Sequence, residues 1–543
     1  MLTHKYKYPI LLLLVLLASG ALKLFFAGKY ATYTDELLSA FVAQAIYHTG
    51  LPVLPSDTLY PRAPLHHYLL AIPIGLGGID YFSMRINSVL FSLITILVLY
   101  RMGIKVAGRN AALAAALLLS VSSLFSQFAL SGRMYMTYGA FYTLSLYFFY
   151  GGFVEGKTRW KAWAVVFMAA AMLSSEAGFL LGLVFAFALA VYQGAGGLRD
   201  RAVYIAAGVW GLMVWLIMIY KVPGSYQPFT AHSGLPDPSW IQPQMPAREI
   251  IGNLIYPWRA LDAVLPFSMP FFLAMTVLIV LRGELRRHYP VVVLLPALIL
   301  ESFLTYRVQY RIIVALIPIY LLACCQLAQT FWGIRKEIFR FKTEVREGRP
   351  ASAGSSSWPL RTGVTAAAVF LMSAAGLVLV NKIGSPAALG TYVYRAFGYH
   401  DSRAGQNLEP SYRYLRSHVK PGDAIIVTTV EYGLFFLGAG NDFYYLRQKK
   451  TDDGPNAKFV SFEKDREPYY GKPIIDSIEK LEDLLHTKGG TLWVVADGKT
   501  DSYVGPELRG HVQQQFERVF DDAEKDGTRV YRALRTSSLE PGS

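Results

Sequence analysis

Apolar runs about 15 to 20 residues long recur from Pro9 to Val380, each ended by a short polar stretch. A helix rises about 1.5 Å per residue, so each run approaches the ~30 Å of a bilayer's hydrocarbon core. The pattern predicts eleven spans, at 9–28, 84–101, 110–126, 134–153, 162–176, 177–193, 202–221, 263–282, 290–304, 312–331 and 362–381. The first, "PILLLLVLLASGALKLFFAG", has no small-residue cleavage site and is read as a retained span rather than a signal peptide. Two spans are short, and local thinning of the bilayer can accommodate them.

The polar stretches are unequal. Segment 29–83 is a long first loop with two helix-like pieces. "TDELLSAFVAQAI" is amphipathic, and "PLHHYLLAIPIGL" is apolar but too short to span comfortably. Segment 222–262 is rich in Pro and aromatic residues, and 345–360 is a Gly/Ser/Pro-rich linker. After 382 the pattern changes. "AIIVTTV" and "TLWVVAD" read as buried strands, and "PSYRYLRSHVKPGD" as a helix ending in a Pro-Gly turn. "IIDSIEKLEDLLHTKGG" reads as a helix stopped by glycine, and "ERVFDDAEKDGTRVYRAL" as two strands around a Lys-Asp-Gly turn. The expected fold is a polytopic α-helical membrane domain over 1–382 followed by an α/β domain over 383–543. No internal repeat, glycine fingerprint or metal-ligand spacing stands out.

Composition confirms the class. Of 543 residues 53% are hydrophobic and 17% charged, with a mean hydropathy of +0.32. A soluble fold is excluded. The net charge of +14 invites a nucleic-acid reading, but its distribution removes it. The tail holds 21 Lys+Arg against 23 Asp+Glu, so the excess lies in the first 382 residues, with 31 basic and 15 acidic. With a cytoplasmic amino terminus, Lys5, Lys7 and the even-numbered connections, including 332–361, hold 20 of those 31 bases and only 6 acids. That is the positive-inside rule. It places loops 29–83 and 222–262 and the tail outside the cell membrane. Cys324 and Cys325, adjacent in an apolar run, read as packing residues.

This orientation collects the unusual polar residues on the external side: Asp35, Glu36, Tyr60, Arg62, His66, His67, Arg133, Tyr135, Glu176, Glu301, Arg307, Tyr310 and Arg311. Ionised groups at membrane depth cost roughly 2.5–3.5 kcal/mol on lenient scales, so they usually face protein or a water-filled cavity. Each has a plain structural reading. Asp35 and Glu36 suit the first turn of a helix, where acids favour the dipole, and Thr32 with Asp35 has capping-box-like spacing. Arg62, Arg133, Arg307 and Arg311 suit the membrane interface. Glu176, in "SSEAGF", suits a helix cap at a sharp turn. The chemical reading of the same residues is a cavity holding carboxylates and guanidiniums, in which the forked Arg donors suit a phosphate. His66 and His67 diverge on a helix and form no two-histidine metal site; one of them could hydrogen-bond a phosphate. Residue by residue both readings stand.

In order along the chain these elements resemble a known group. An Asp-Glu pair follows the first span. "PRAPLHHYLL", "GGIDYFSMRINSVLFSLITILVLY" and "GRNAALAAALLLSVSSLFSQFALSGRMYMTY" come next, and "QYRIIVALIPIYLL" comes late. The order, over residues 9–331, resembles the GT-C superfamily of membrane glycosyltransferases, in the branch of protein O-mannosyltransferases, the lipid A aminoarabinose transferase and Rgt-type sugar transferases (glycosyltransferase family 39-like).

The resemblance implies transfer of a hexosyl or pentosyl group from a polyprenyl-phosphate donor to a glycan, lipid or protein acceptor at the extracytoplasmic face of the cell membrane. It implies that Asp35 acts at the acceptor with Glu36 in support, and that Arg62 meets the lipid phosphate, here in Arg-Ala-Pro where the aminoarabinose transferases read Lys-Pro-Pro. It matches Arg133 to the arginine of an Arg-Met-Tyr element, and Tyr310 and Arg311 to a late Tyr-Arg pair. Tyr60, His66, Tyr135 and Glu176 complete the expected substrate site; some relatives carry a second acid near Arg-Met-Tyr, but here none lies between Asp80 and Glu155, which leaves Glu176 as the candidate for that part. No cofactor is required, although a divalent metal at Asp35 and Glu36 stays open. Direct attack with Asp35 as general base would invert the anomeric carbon. The competing classes are a transporter or lipid flippase, whose charges usually sit near the midplane on broken helices, and a non-catalytic glycan-binding scaffold.

Overall fold

The computed structural model describes residues 6–29, 32, 34–221, 261, 264–265, 268–304, 313–346, 408–446, 466–467, 469–497, 504–521 and 528–533. The amino-terminal part is helical. In chain order it has α1 (Lys7–Ala27), α2 (Thr34–Thr49), α3 (Pro64–Gly77), α4 (Tyr81–Val106), α5 (Gly108–Val121), α6 (Ser123–Ala129) and α7 (Tyr135–Phe149). Then come α8 (Thr158–Ser174), α9 (Leu180–Gln193), α10 (Arg201–Lys221), α11 (Ser268–Leu281), α12 (Tyr289–Leu304) and α13 (Ile317–Arg346).

Helices coincide with ten of the eleven apolar runs; the run 362–381 lies outside the described residues. Among the described residues four helical segments are long and apolar enough to cross a bilayer unaided: Lys7–Ala27, Tyr81–Val106, Glu176–Arg199 and Ile317–Lys336. The run expected at 110–126 breaks instead into α5 and α6, bent by 63°. Ser122 causes the break. Its backbone is extended and its hydroxyl accepts from the Phe125 amide at 3.4 Å, ending one helix and capping the next. α13 runs on to Arg346, so the first part of the 332–361 connection is helical.

Small residues let the bundle close. Ala111, Ala112, Ala115 and Ala116 of α5 are buried against α4 and α13. At Gly103 of α4 a Cβ would lie 2.8 Å from that of Ala112, so only glycine permits this approach. Leucines of α1 (Leu13, Leu14, Leu17 and Leu22) point outward, as a lipid-facing helix requires.

The tail is a three-layer α/β domain. Its elements are α14 (Glu409–His418), β1 (Ala424–Val427), α15 (Val430–Leu437), β2 (Asp442–Leu446), β3 (Ile474–Ile475), α16 (Ile478–Thr487), β4 (Leu492–Ala496), α17 (Pro506–Gln515), β5 (Phe516–Asp521) and β6 (Arg529–Ala533). The sheet order is β3-β2-β1-β4-β6-β5, with β1 to β4 parallel and the β5–β6 hairpin antiparallel. The strands read from sequence are β1, β4, β5 and β6. Ile474–Ile475, expected to open a helix, is a short strand instead, because it pairs with β2.

Alternation along the central strands feeds two cores. Ala424, Ile426, Leu492 and Val494 face α16 and α17. Ile425, Val427, Trp493 and Val495 face the other way and join one continuous apolar cluster with Leu37, Ala40 and Val42 of α2 and Leu70 and Ile74 of α3. The tail and the first loop thus share a core, which fixes the tail directly over α2.

Candidate functional site

The two acids at the start of α2 have opposite surroundings. Glu36 is 0% exposed. Its Oε2 accepts from Arg85 Nη2 at 2.8 Å and from the Thr32 hydroxyl at 2.7 Å; its Oε1 accepts from the Gly132 amide at 2.6 Å and Arg85 Nε at 3.4 Å. Arg85, on the first turns of α4 and itself buried, also donates to the Ala27 carbonyl at 2.8 Å. Glu36 therefore ties together the end of α1, the start of α2, the start of α4 and the loop before α7.

Asp35, one residue earlier, is 43% exposed, and its Oδ2 lies 3.7 Å from Arg133 Nη2. Arg133 is only 4% exposed and is held from behind: Nη1 donates to the Asp35 carbonyl at 2.8 Å and to the Ser39 hydroxyl at 2.7 Å. The guanidinium holds the Asp35 backbone by a hydrogen bond and faces its carboxylate, which stays 43% exposed. The Gly132 amide that holds Glu36 precedes Arg133 directly, so both acids are referenced to one loop.

A second ion pair comes from distant parts of the chain. Arg62 Nε lies 3.3 Å from Glu176 Oε1, with side-chain exposures of 37% and 28%. Glu176 opens the 3₁₀ turn Glu176–Phe179 between α8 and α9. Arg62 is aimed by an unusual backbone: Ala63 is left-handed at φ 46° and Pro64 opens α3. Proline disfavours the right-handed helical region for the residue before it, so the chain turns sharply there into the helix.

Behind Arg62 lie two buried imidazoles. His66 Nδ1 is 3.1 Å from the Thr137 hydroxyl and His67 Nδ1 is 3.0 Å from the Ala63 carbonyl. Among the described residues neither buried Nε2 atom meets a hydrogen-bond partner. Burial, then the neighbouring His67 and Arg133, holds His66 well below the ordinary imidazole range. Burial, aided by Arg133, pushes His67 to about 3. The first loop thus presents neutral rings beside the guanidiniums of Arg62 and Arg133. Tyr60 is buried edge-on against His67, and Tyr135 is buried against Phe128.

The structure therefore draws Asp35 with Arg133, and Arg62 with Glu176, into two pairs on elements joined through α2, α3 and the loop before α7. Arg307, Tyr310 and Arg311 lie outside the described residues, as does the side chain of Glu301. Arg85 was passed over as part of an apolar run, although a lone charge in such a run is itself a signal. Lys23 was missed for the same reason: it is buried in α1, donates to Ser19 at 2.6 Å and lies 5.5 Å from the Phe125 ring. A cation at Asp35 and Glu36 does not fit this arrangement, because Glu36's oxygens already accept from Arg85, Thr32 and Gly132. Among the described residues no cluster of three or more His, Cys, Asp or Glu could hold a metal.

Residues 61–220 match the family described as dolichyl-phosphate-mannose-protein mannosyltransferase. Among solved structures, ArnT from Cupriavidus metallidurans bound to undecaprenyl phosphate is 16% identical with a TM-score of 0.60, over 98% of this chain and 99% of that one. The apo form of the same enzyme is 15% identical with a TM-score of 0.59, over 96% and 98%. The archaeal oligosaccharyltransferase AglB from Archaeoglobus fulgidus, in complex with an inhibitory peptide and a dolichol-phosphate, is 13% identical with a TM-score of 0.51, over 100% and 76%. No protein of curated function matches the chain. The chain is therefore similar to the mannosyltransferase family over residues 61–220, and over nearly its whole length it shares the fold of ArnT.

Proposed function

We propose that the protein transfers a sugar from a polyprenyl-phosphate carrier to an acceptor hydroxyl or amine at the extracytoplasmic face of the cell membrane, with Asp35 as general base. The observation that carries this reading is the contrast at the start of α2. Glu36 is locked away by Arg85, whereas Asp35 is held by Arg133 and remains half-exposed. A carboxylate held in place by a guanidinium yet still reached by solvent is what a base needs in order to meet an incoming nucleophile. The fold shared with an undecaprenyl-phosphate-bound enzyme supports a lipid-linked donor.

Asp35 takes the acceptor proton as the acceptor attacks the anomeric carbon. The bond from that carbon to the phosphate oxygen breaks on the opposite face, so the carbon inverts. The leaving polyprenyl phosphate carries the charge away and needs fixed positive charge rather than an acid. Arg62 is the better placed of the two described guanidiniums: Arg133 is buried and committed to Asp35 and Ser39, whereas Arg62 is more than a third exposed. Glu176 then orients Arg62. His66, kept neutral by burial, adds an uncharged ring behind Arg62 on the donor side. Glu36 acts as an anchor that supports the turn carrying Asp35. Tyr310 and Arg311 retain the late phosphate-side role that the resemblance implies.

The test uses the full chain in lipid nanodiscs. Radiolabelled undecaprenyl-phosphate mannose and glucose serve as donors, and membranes from a strain lacking the chain supply the acceptor. Transfer by the wild type, lost in Asp35→Asn with folding intact, is the expected result. A sealed-vesicle arm with labelled lipid reports flipping. Translocation without transfer would favour the transporter reading and overturn this one.

A further inference from the structure

The tail domain's parallel strands turn back on themselves at β1: the chain runs outward through β2 and β3, then returns to β4 on the other side of β1. In such sheets the crevice beyond the carboxyl ends of the two strands at this switch point is where functional groups collect. Here Thr428 and Thr429 follow β1 and Asp497 follows β4, with the Thr429 hydroxyl donating to Asp497 Oδ2 at 2.8 Å. The Tyr412 hydroxyl, buried among Asp497, Glu431 and Tyr432, has its pKa raised well above the ordinary phenol range, mainly by burial. This edge of the sheet is laid against α2.

A chain of hydrogen bonds crosses from the tail to the acids. Tyr432, in the first turn of α15 and 4% exposed, donates its hydroxyl to the Thr32 carbonyl at 2.7 Å. The Thr32 hydroxyl donates to Glu36 Oε2 at 2.7 Å, and Glu36 accepts from the Gly132 amide beside Arg133. Arg133 in turn holds Asp35. The tail grips the first loop at two further points: Phe41 of α2 meets Tyr470 edge-on at 6.1 Å between ring centres, and the Ser56 amide donates to the Tyr469 carbonyl at 3.2 Å. Phenylalanine would fill the same space, so what the tyrosine adds is this one hydrogen bond. What the hydroxyl adds is a fixed position for the peptide just before α2.

We infer that Tyr432 is a positioning residue for sugar transfer: through Thr32 and Glu36 it holds the first turn of α2, and with it Asp35, in register with Arg133. The inference rests on the reading of Asp35 as the general base. It makes the tail a working part of the site, acting on turnover and not on donor capture, because Arg62 and Glu176 lie outside this chain of bonds.

The experiment compares wild type, Tyr432→Phe, Thr32→Val and the double variant as full-length chain in nanodiscs, with labelled undecaprenyl-phosphate mannose or glucose, whichever the wild type uses. Tyr432→Phe should lower kcat about fivefold to tenfold, the worth of one ordinary hydrogen bond, and leave the donor KM within about twofold. The double variant should be no slower than the slower single variant, because both changes cut one chain. Hydrogen exchange supplies a readout that needs no substrate: residues 34–40 should exchange faster in Tyr432→Phe while the unfolding temperature falls by only a few degrees. Unchanged kcat with unchanged exchange would overturn the inference, as would a raised KM with intact kcat or multiplicative losses in the double variant. Asp35→Asn, run alongside, separates the two ideas. If it retains turnover, the base assignment fails, while the exchange data still decide whether Tyr432 holds α2.

Discussion

Asp35 and Glu36 are neighbours in one helical turn, yet they belong to different kinds of structure. Glu36 sits in a dry knot with Arg85, Thr32 and the Gly132 amide, and both ion-pair partners are essentially without solvent contact. Asp35 sits at a rim, paired with Arg133 and 43% exposed. The Arg62–Glu176 pair belongs to the same rim, with both partners partly exposed. Burial decides what each pair can do. A buried pair is costly to break, because removing one partner strands a charge, whereas a rim pair adds little to stability and keeps its charge available to a ligand.

The sharpest way to break the comparison is to exchange the expected losses. Arg85→Met should cost about 3–5 kcal/mol of stability by stranding Glu36, and little folded protein should be recovered. Asp35→Asn should do the reverse, lowering kcat by about 10²- to 10⁴-fold with the unfolding temperature unchanged. Thermal unfolding and transfer rates on the same preparations decide it. If Asp35→Asn unfolds the protein, or Arg85→Met leaves both stability and activity intact, the division into anchor and rim is wrong.

Next in size is the rim's own division of labour. Arg62→Ala should raise the donor KM by roughly tenfold to a hundredfold, the worth of a charge-assisted bond to phosphate. Arg133→Lys should leave that KM nearly unchanged and lower kcat about tenfold, because lysine has one ammonium where arginine's fork reaches the Asp35 carbonyl, its carboxylate and Ser39. Equal effects of the two changes on KM would show that both arginines meet the donor.

Much of the scaffold was legible because apolar runs with charged ends have few other solutions. Nine of the expected segments carry helix and a tenth, 110–126, is helical but broken at Ser122, while the strands β1, β4, β5 and β6 stand where alternation and turn residues placed them. The anchor was not legible. Glu36 finds Arg85 at 49 residues' distance and Gly132 at 96, and Arg62 finds Glu176 at 114, so nothing local separates Asp35 from Glu36. α15 and α17 were missed for a different reason. "VEYGLFFL" is apolar almost all round and "PELRGHVQQQ" is mostly polar, so neither shows a clear periodicity. The role of Tyr432 depends on a bond across 400 residues of sequence, which only the folded chain reveals.

A further effect, read in stability and not in turnover, concerns the imidazoles behind the rim, which share the dryness of the anchor. His67 is pushed by burial from 6.5 to about 3, and His66 is held low as well. Above pH 6.5 the ring is neutral in both the folded and the unfolded chain, and it adds no pH dependence. Between pH 6.5 and about 3 only the unfolded chain binds the proton, so stability is lost as the pH falls. By pH 5 the loss from His67 alone should be about 2 kcal/mol. His67→Gln keeps a hydrogen-bonding side chain near the Ala63 carbonyl but cannot titrate, so its unfolding temperature should fall less than the wild type's between pH 7.5 and pH 5. Rim changes such as Arg62→Ala should leave that slope close to the wild type's. Identical slopes in wild type and His67→Gln would mean that the imidazole is wet, and that the dry interior does not reach from the Glu36 anchor to the base of α3.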